Sequence, residues 1–419
     1  MSKNQIRSIK GTQDILPDQS YKWQDLENKI HATMMLYNYG EIRTPAFEKT
    51  ELFDRGVGTE TDIVSKEMYS WIDQGGENLT LKPELTAPVS RSYIQHNLGS
   101  QQPLTKLYYI DALFRRERPQ KGRYRQFHQF GVEAFGSEHP EIDSEIIAIA
   151  VTLFNQIGIK DLSLKLNSIG SETCREDYKK ELKQFLKPHF DKLSKASQAR
   201  FEKNPLRILD SKSPNEIDII KNAPQISEFW TKDDKDHFDE LCSYLDAMNI
   251  SYSIDPKLVR GLDYYSRTTF EIISSSLGAQ DAICGGGRYD GLVEIIGGKP
   301  TPGIGFAAGM ERILMIINDA NTKENIKIFI VGLGDSVRPV VAKLTNDLRH
   351  NNLSSECDML RRSMRAQMRE ANKLGAKYAI IIGENELQQN QVQLKDLVSG
   401  KQKTIDMSSI VSHMTSLSF

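Results

Sequence analysis

The stretch Phe114-Arg-Arg-Glu-Arg-Pro-Gln-Lys-Gly-Arg-Tyr-Arg-Gln-Phe-His-Gln-Phe-Gly131 sets six arginines or lysines between two apolar runs, with a proline and a glycine inside the basic part. Upstream, Leu107-Tyr-Tyr-Ile-Asp-Ala-Leu-Phe114 is aromatic and aliphatic; downstream, residues 127–135 alternate with the period of a strand. Proline and glycine interrupt regular structure where the charges lie, so the order reads as a hairpin with a cationic tip. Successive strand residues face opposite ways, which puts Phe130, Val132 and Ala134 on one face and Gln129, Gly131 and Glu133 on the other. At a rise of about 3.3 Å per residue, Gln129 and Glu133 stand roughly 13 Å apart, and Gly131 removes side-chain bulk between them. With Arg123 and Arg125 in the same parity, one surface offers a cation-binding end at Glu133 and an anion-binding end near the turn. Such a surface suits a zwitterionic or composite ligand. An edge hairpin whose solvated charges discourage aggregation has the same pattern, and this segment alone does not separate the two.

At 419 residues the chain exceeds one ordinary core, so two or three domains are expected. A formal net charge of -2 argues against carpet-like binding to nucleic acid and leaves room for a local basic patch. Cys174, Cys242, Cys284 and Cys357 are scattered without a Cys-x-x-Cys pair, and the histidines show no metal-ligand spacing beside them, which fits a reducing cytoplasm. The amino-terminal residues lack an apolar signal region, and the longest apolar run, 146–154, is too short to cross a bilayer. A soluble, cytoplasmic protein without a membrane partner is expected.

Trp23, Leu26, Ile30 and Met34 recur at helical spacing across residues 20–38, Gly40 ends the pattern, and Glu41-Ile-Arg-Thr-Pro45 looks extended. A second helix is expected to start with Thr86 as its cap and Pro88 in its first turn, running through Tyr93. An apolar helix over 143–158 and a strand over 162–166 follow. Residues 171–250 are rich in Lys and Glu, helical in pattern and broken by Pro188, Pro205, Pro214 and Pro224, as in an inserted helical domain. Strand-like sequence resumes at Tyr252 and continues through 258–265 and 268–274 to a glycine cluster, and the pattern turns helical after 303–314. Beyond a polar linker at 318–325, the segments 326–331, 337–350, 361–374 and 378–382 alternate strand and helix, which indicates a compact α/β domain with a largely parallel sheet. The domains so drawn are 1–170 with 251–318, an insertion at 171–250, and a tail domain at 326–419.

No Gly-x-x-x-x-Gly-Lys-Ser/Thr loop is present, Gly285-Gly-Gly287 lacks the spacing of a dinucleotide fingerprint, and Gly332-Leu-Gly334 fails the same test. A bound nucleotide would therefore be held by arginines or metal. Arg115, Arg123, Arg260 and Arg312 each stand beside a glycine, a strand end or a turn, where a guanidinium reaches phosphate bidentately. Any one alone equally fits a surface ion pair. In Arg260-Gly-Leu-Asp-Tyr-Tyr265, read as a strand, only one tyrosine need face a ligand, and packing explains two strand tyrosines as readily. The three consecutive glycines 285–287 form a tight turn or admit close approach of a flat ligand, the third costing entropy a turn does not require. Arg361, Arg365 and Arg369 recur every fourth residue, either a solvated helix face or one turned to RNA.

Taken together, these segments resemble the histidyl-tRNA synthetase family of class II aminoacyl-tRNA synthetases over nearly the whole chain. Gly40-Glu-Ile-Arg-Thr-Pro45 with its preceding helix looks like motif 1, the basic hairpin is similar to motif 2, and 303–314 to motif 3 with Arg312 as its arginine. Leu258-Val-Arg-Gly-Leu-Asp-Tyr-Tyr265 and Cys284-Gly-Gly-Gly-Arg-Tyr-Asp-Gly291 resemble the two segments specific to the histidyl members. The resemblance implies an α+β catalytic domain with a six-stranded antiparallel sheet flanked by helices, a helical insertion, a C-terminal α/β anticodon-binding domain, and a homodimer. It implies that Glu84 and Thr86 hold the amino end of L-histidine, and that Gln129, Glu133, Tyr264 and Tyr265 surround its amino group and imidazole. Arg115 and Arg312 would clamp ATP, Arg123 reach its phosphates, and Arg260 contact the α-phosphate. Arg115 and Arg260 thereby also count among the residues around the histidine. Mg2+ would accompany ATP without a fixed protein-only metal site. Arg118 and Gln120 would approach the acceptor end of histidine tRNA. Lys82-Pro-Glu-Leu-Thr86 departs from the family pattern, with lysine and leucine where arginine and glycine are usual. The implied chemistry is attack of the histidine carboxylate on ATP, followed by transfer to the 3′ ribose of the tRNA. Two alternatives stay open: a catalytically silent paralogue acting as a regulatory subunit in histidine biosynthesis, and a class II synthetase for another amino acid such as proline or threonine.

Overall fold

The structure is a computed structural model that describes residues 6–59, 61–211, 213–277, 282–317 and 325–417. The expected polar linker falls, except for Asn325, outside the described residues. Two compact units result, Met1–Asn321 and Thr322–Phe419.

The first unit is built on an eight-stranded sheet. Its six long strands run in the order Thr105–Phe114, Gln126–Phe135, Gly303–Gly309, Ala282–Arg288, Ser266–Ser274 and Leu162–Ser168, each antiparallel to the next. Two-residue strands at the edges, Gly40–Glu41 and Ser253–Ile254, add parallel pairings to the six antiparallel strands. One face is apolar: Phe130, Val132 and Ala134 join Phe270, Ile272, Ile304 and Phe306 in a core covered by three helices, Pro17–Leu36, Pro140–Gln156 and Lys232–Ala247. Trp23, Leu26, Ile30 and Met34 are the buried stripe of the first of these helices. Each such side chain contributes about 1.5–3 kcal/mol by leaving water.

The opposite face holds a cleft, the helix Thr86–Gln95 and most of the helical segment that follows Ser168. Tyr178, Leu182 and Leu186 of the helix Glu172–Leu186 share a core with Leu85, Val89, Tyr109 and Tyr264. The helical segment is thus packed into this unit rather than standing apart from it. Pro188, Pro205 and Pro214 open helical turns, where the missing N–H costs nothing.

Three local expectations are corrected. Thr86 is the first helical residue and not the cap; the Glu84 carboxylate accepts from the backbone N–H groups of Thr86 and Ala87, both at 2.9 Å, and does the capping. Residues 255–265 are irregular, so the Arg260–Tyr265 segment is a loop laid over the sheet and not a strand. The glycines 285–287 lie inside the strand Ala282–Arg288 and make no turn.

The second unit has a five-stranded sheet in which Ser355–Cys357, Ile328–Gly332 and Tyr378–Ile382 are parallel, and Gln391–Asp396 and Gln402–Asp406 continue antiparallel. The sheet is mixed rather than largely parallel. A parallel return needs a crossover of about a dozen residues or more, and neither 383–390 nor 397–401 supplies one. Arg361 has φ +53 and the helix begins only at Met364, so Arg365 and Arg369 share a helix while Arg361 lies in the turn before it.

Candidate active site

Strand register brings the cleft's floor together. Directly paired residues share a face, and one row across the sheet reads Tyr109, Gly131, Ala307, Gly285, Glu271; the next reads Leu107, Glu133, Gly305, Gly287, Thr269. Small residues on the central strands hollow this face into a cavity of about 440 Å³. Two close approaches require glycine. A Cβ on Gly285 would collide with the Arg260 guanidinium, and one on Gly305 with the Glu133 carboxyl. The flat group that approaches the glycine cluster is therefore this chain's own arginine.

At the deep end, Glu84 and Glu133 are 4% and 1% exposed. Thr86 Oγ1 donates to Glu133 Oε1 at 2.8 Å, Tyr109 Oη donates to the same oxygen at 3.1 Å, and Tyr289 Oη donates to Oε2. Burial pushes the Glu84 carboxyl up to about 7 against the pull of its two backbone N–H donors. Burial also pushes Glu133 up to about 8; its hydroxyl donors pull the other way and the neighbouring Glu84 adds to the rise. Burial holds the hydroxyls of Tyr109, Tyr264 and Tyr289 well above the ordinary tyrosine range, so they stay neutral donors. Two carboxyls whose ionisation burial disfavours gain most from a ligand that brings positive charge and N–H donors.

Tyr264 and Tyr265 are both buried, with ring centroids 4.8 Å apart at 45°, and both line the cavity. The loop conformation turns both inward, where a strand would have turned them apart. Gln129 lines the cavity, whereas Glu133 sits beneath the three hydroxyls that bond it.

The arginines gather toward the other end. Arg115 Nε donates to Pro83 O at 2.8 Å and its guanidinium lies 5.1 Å over the Phe127 ring. Arg260 Nη1 is 3.4 Å from Glu271 Oε2. Arg312 Nη1 donates to Ala282 O at 2.8 Å. Arg123, half exposed, stands 3.7 Å from Glu117, and all four line the cavity. Arg118 and Gln120 are exposed on the hairpin loop and do not line it; Gln120 and Arg123 close the tip through paired backbone hydrogen bonds of 3.1 and 2.9 Å.

The departures at Lys82 and Leu85 leave Glu84 and Thr86 in place. Lys82 is buried, pairs with Asp111 and donates to Thr44 O at 3.1 Å, while Leu85 faces the core. Sequence reading did not single out Tyr109, Tyr289 or Glu271. Tyr109 lies directly across from Gly131, so the hairpin register carried a signal for it; Tyr289 needed the glycine cluster to be read as a strand.

Residues 11–313 match the family described as histidyl-tRNA synthetase, and residues 327–417 match the one described as anticodon binding domain. A histidine–tRNA ligase of Acetivibrio thermocellus is 48% identical over 409 residues, covering 97% of this chain and 98% of that protein. The crystal structure of apo S. aureus histidyl-tRNA synthetase superimposes with a TM-score of 0.83 at 38% identity, covering 98% of this chain and 100% of that one. A Bacillus halodurans structure titled an ATP phosphoribosyltransferase regulatory subunit/histidyl-tRNA synthetase shares the fold, with a TM-score of 0.66 at 21% identity over 89% of this chain and 97% of its own. A cleft with buried carboxyls at one end and arginines at the other, and a family match that runs through it, lead to one assignment: the chain belongs to the histidyl-tRNA synthetase family.

Proposed function

We propose that this chain is a histidine–tRNA ligase, which joins L-histidine to ATP as histidyl-adenylate with release of pyrophosphate and then passes histidine to the 3′ end of histidine tRNA. The observation that carries the reading is the polarity of a single cleft, with Glu84 and Glu133 buried at one end and Arg115, Arg260 and Arg312 at the other. The ammonium and imidazole of histidine suit the first end; its carboxylate and the ATP phosphates suit the second. The histidine carboxylate is itself the nucleophile, so activation needs alignment and charge stabilisation rather than a base. The carboxylate oxygen bonds to the α-phosphorus as pyrophosphate leaves; a ribose hydroxyl then attacks the acyl carbon, and AMP departs with the shared oxygen. Arg260 and Arg115 would steady the α-phosphoryl oxygens, while Arg312 and Arg123 would hold the outer phosphates and adenine end. Tyr264, Tyr265, Gln129 and Thr86 would fix the amino acid.

Among the described residues no cluster of three or more His, Cys, Asp or Glu side chains is placed to hold a metal. Single carboxylates such as Glu117 and Glu271 line the cleft, a donor set that fits Mg2+ arriving on the ATP phosphates, where it neutralises charge. The tail unit and the exposed Arg118 and Gln120 support tRNA as partner at its two ends. Met35 and Leu36, 78% and 75% exposed at the end of the first helix, support a second copy as the cover for that surface. No helix among the described residues is long and apolar enough to cross a membrane, and the four cysteines are unpaired, which agrees with a cytoplasmic setting.

The test is histidine-dependent exchange between pyrophosphate and ATP, run across all amino acids, followed by charging of histidine tRNA. Exchange with another amino acid alone, or none at all, refutes the reading. Arg260→Ala should lower adenylate formation about 100- to 1000-fold while the protein still folds, the loss usual for one preorganised charge-stabilising donor. Near-normal exchange would remove Arg260 from the chemistry.

A further inference from the structure

Glu311 lines the cleft beside Arg312 and has no part in the activation steps. It is 7% exposed, and both of its carboxylate oxygens accept from the backbone N–H of His128, at 2.9 and 3.0 Å. Oε1 also lies 3.0 Å from the ring Nδ1 of the same histidine. The strand Gly303–Gly309 ends opposite Gln129, one residue short of His128. That strand offers His128 no acceptor, and the Glu311 carboxylate fills the place a continued strand would have taken. An N–H left unpaired in this part-buried position is costly, so the carboxylate is held where it stands. With both oxygens committed to donors of the protein, it is not turned toward a ligand.

The tie joins two parts of the cleft. On one side, His128 stands between Gln129, which lines the cavity, and Phe127, over whose ring the Arg115 guanidinium lies. The His128 ring meets Trp23 of the helix Pro17–Leu36 edge to face, with centroids 4.8 Å apart. On the other side, Glu311 is the second residue of the short helix Met310–Ile316, so a clamp here sets that helix's direction at its start. The next residue, Arg312, donates from Nη1 to Ala282 O at 2.8 Å and from Nε to Gly122 O at 3.5 Å, at the hairpin tip. Burial first, and then the like charge of Arg123, push the Arg312 guanidinium below its ordinary value, so its seat owes more to the chain than to attraction.

We propose that Glu311 is a positioning residue for the ATP end of the cleft: by clamping His128 it fixes the angle at which Arg312 reaches the nucleotide. The inference rests on the ligase reading, in which Arg312 holds ATP. Gln129, by contrast, is kept in place by strand pairing on both sides, with Gly309 and with Asp111, so the histidine end does not depend on the clamp.

A double-mutant cycle with Arg312→Ala tests it in the full-length chain. Glu311→Met keeps the size and loses both acceptors; Glu311→Asp keeps the charge and withdraws it by one methylene. Histidine-dependent exchange by the unmodified chain is measured first. Its absence sinks the ligase reading, and the cycle is then decided on equilibrium binding of ATP, which is measured in every variant. Each of the two Glu311 variants should raise the KM and Kd for ATP about five- to thirtyfold and leave the KM for histidine within about twofold. Glu311→Gln, which keeps the shape and one acceptor, should stay within about threefold of the parent for ATP. In the Arg312→Ala background the Glu311 changes should add less than about a further twofold, because the residue they act through is gone. Losses of equal size in both backgrounds overturn the proposal, as does a KM for histidine that rises in step with that for ATP. ATP values within about twofold of the parent in a folded Glu311→Met or Glu311→Asp protein overturn it too. Where Glu311→Met does not fold, Glu311→Asp decides, and failure of both to fold makes the carboxylate a folding group and removes the positioning role.

Discussion

Replacing Glu133 with glutamine separates what this carboxyl does to the fold from what it does for a ligand. Burial raises its pKa from 4.5 to about 8, so the folded protein keeps a proton that the unfolded chain releases above pH 4.5. Between those limits the folded state binds more protons, and stability falls as pH rises through the window. At about 1.4 kcal/mol per pH unit the cost reaches roughly 3 kcal/mol at pH 7 and shrinks below about 1 kcal/mol at pH 5. Glutamine has the same shape and no such cost. E133Q should therefore melt about 6 °C higher than the parent at pH 7, with the gain largely gone at pH 5. Under the proposed function, the same change removes a negative charge that lies beneath the cationic end of histidine, worth about 2–3 kcal/mol, so kcat/KM for histidine in the exchange assay should drop on the order of 100-fold while the KM for ATP moves little. Thermal melts at the two pH values and exchange kinetics decide the matter. Equal melting shifts at pH 5 and pH 7, or an unchanged kcat/KM for histidine, would refute the argument.

Gly285→Ala should mimic the loss of Arg260, because the new Cβ takes the space of its guanidinium; exchange retained at more than about a tenth of the parent rate would contradict this. Asp143 holds Arg288 through contacts of 2.7 and 3.0 Å and accepts from Thr268 at 2.6 Å, all buried. Asp143→Asn should cost about 1–3 kcal/mol in urea unfolding by removing one of the two carboxylates on that arginine, the other being Asp290 at 3.0 Å, and a loss below about 0.5 kcal/mol would show the pair to be dispensable. Arg365→Gln with Arg369→Gln should raise the KM for histidine tRNA and leave exchange untouched; an unchanged KM would make that helix face merely solvated.

The parts legible in the sequence were those set by local periodicity. The Trp23–Met34 stripe and the alternation of residues 127–135 each expose one face, and the structure buries those faces. What stayed hidden depends on neighbours distant in sequence. Nothing local to residues 258–265 says that they leave the sheet, so both tyrosines turning inward was not readable there. Glu84 as cap was masked by the commoner capping habit of Thr86. Their places beside glycines, strand ends and turns had already marked Arg115, Arg123, Arg260 and Arg312 as phosphate candidates, and strand register with loop packing brings them to one cleft. Tyr109 and Tyr289 escaped because a hydroxyl's partner is a matter of cross-strand pairing and not of motif.

The glycine-lined floor also bears on how such a site can change over evolutionary time. Where Gly285 and Gly305 stand, the surface of the cleft is main chain, and any added carbon strikes an arginine or a glutamate already lying there. New substrate preferences cannot be reached by stepwise substitution from below. The floor and the loop that carries Arg260 are thus locked to each other, and a change in either has to be answered by a change in the other.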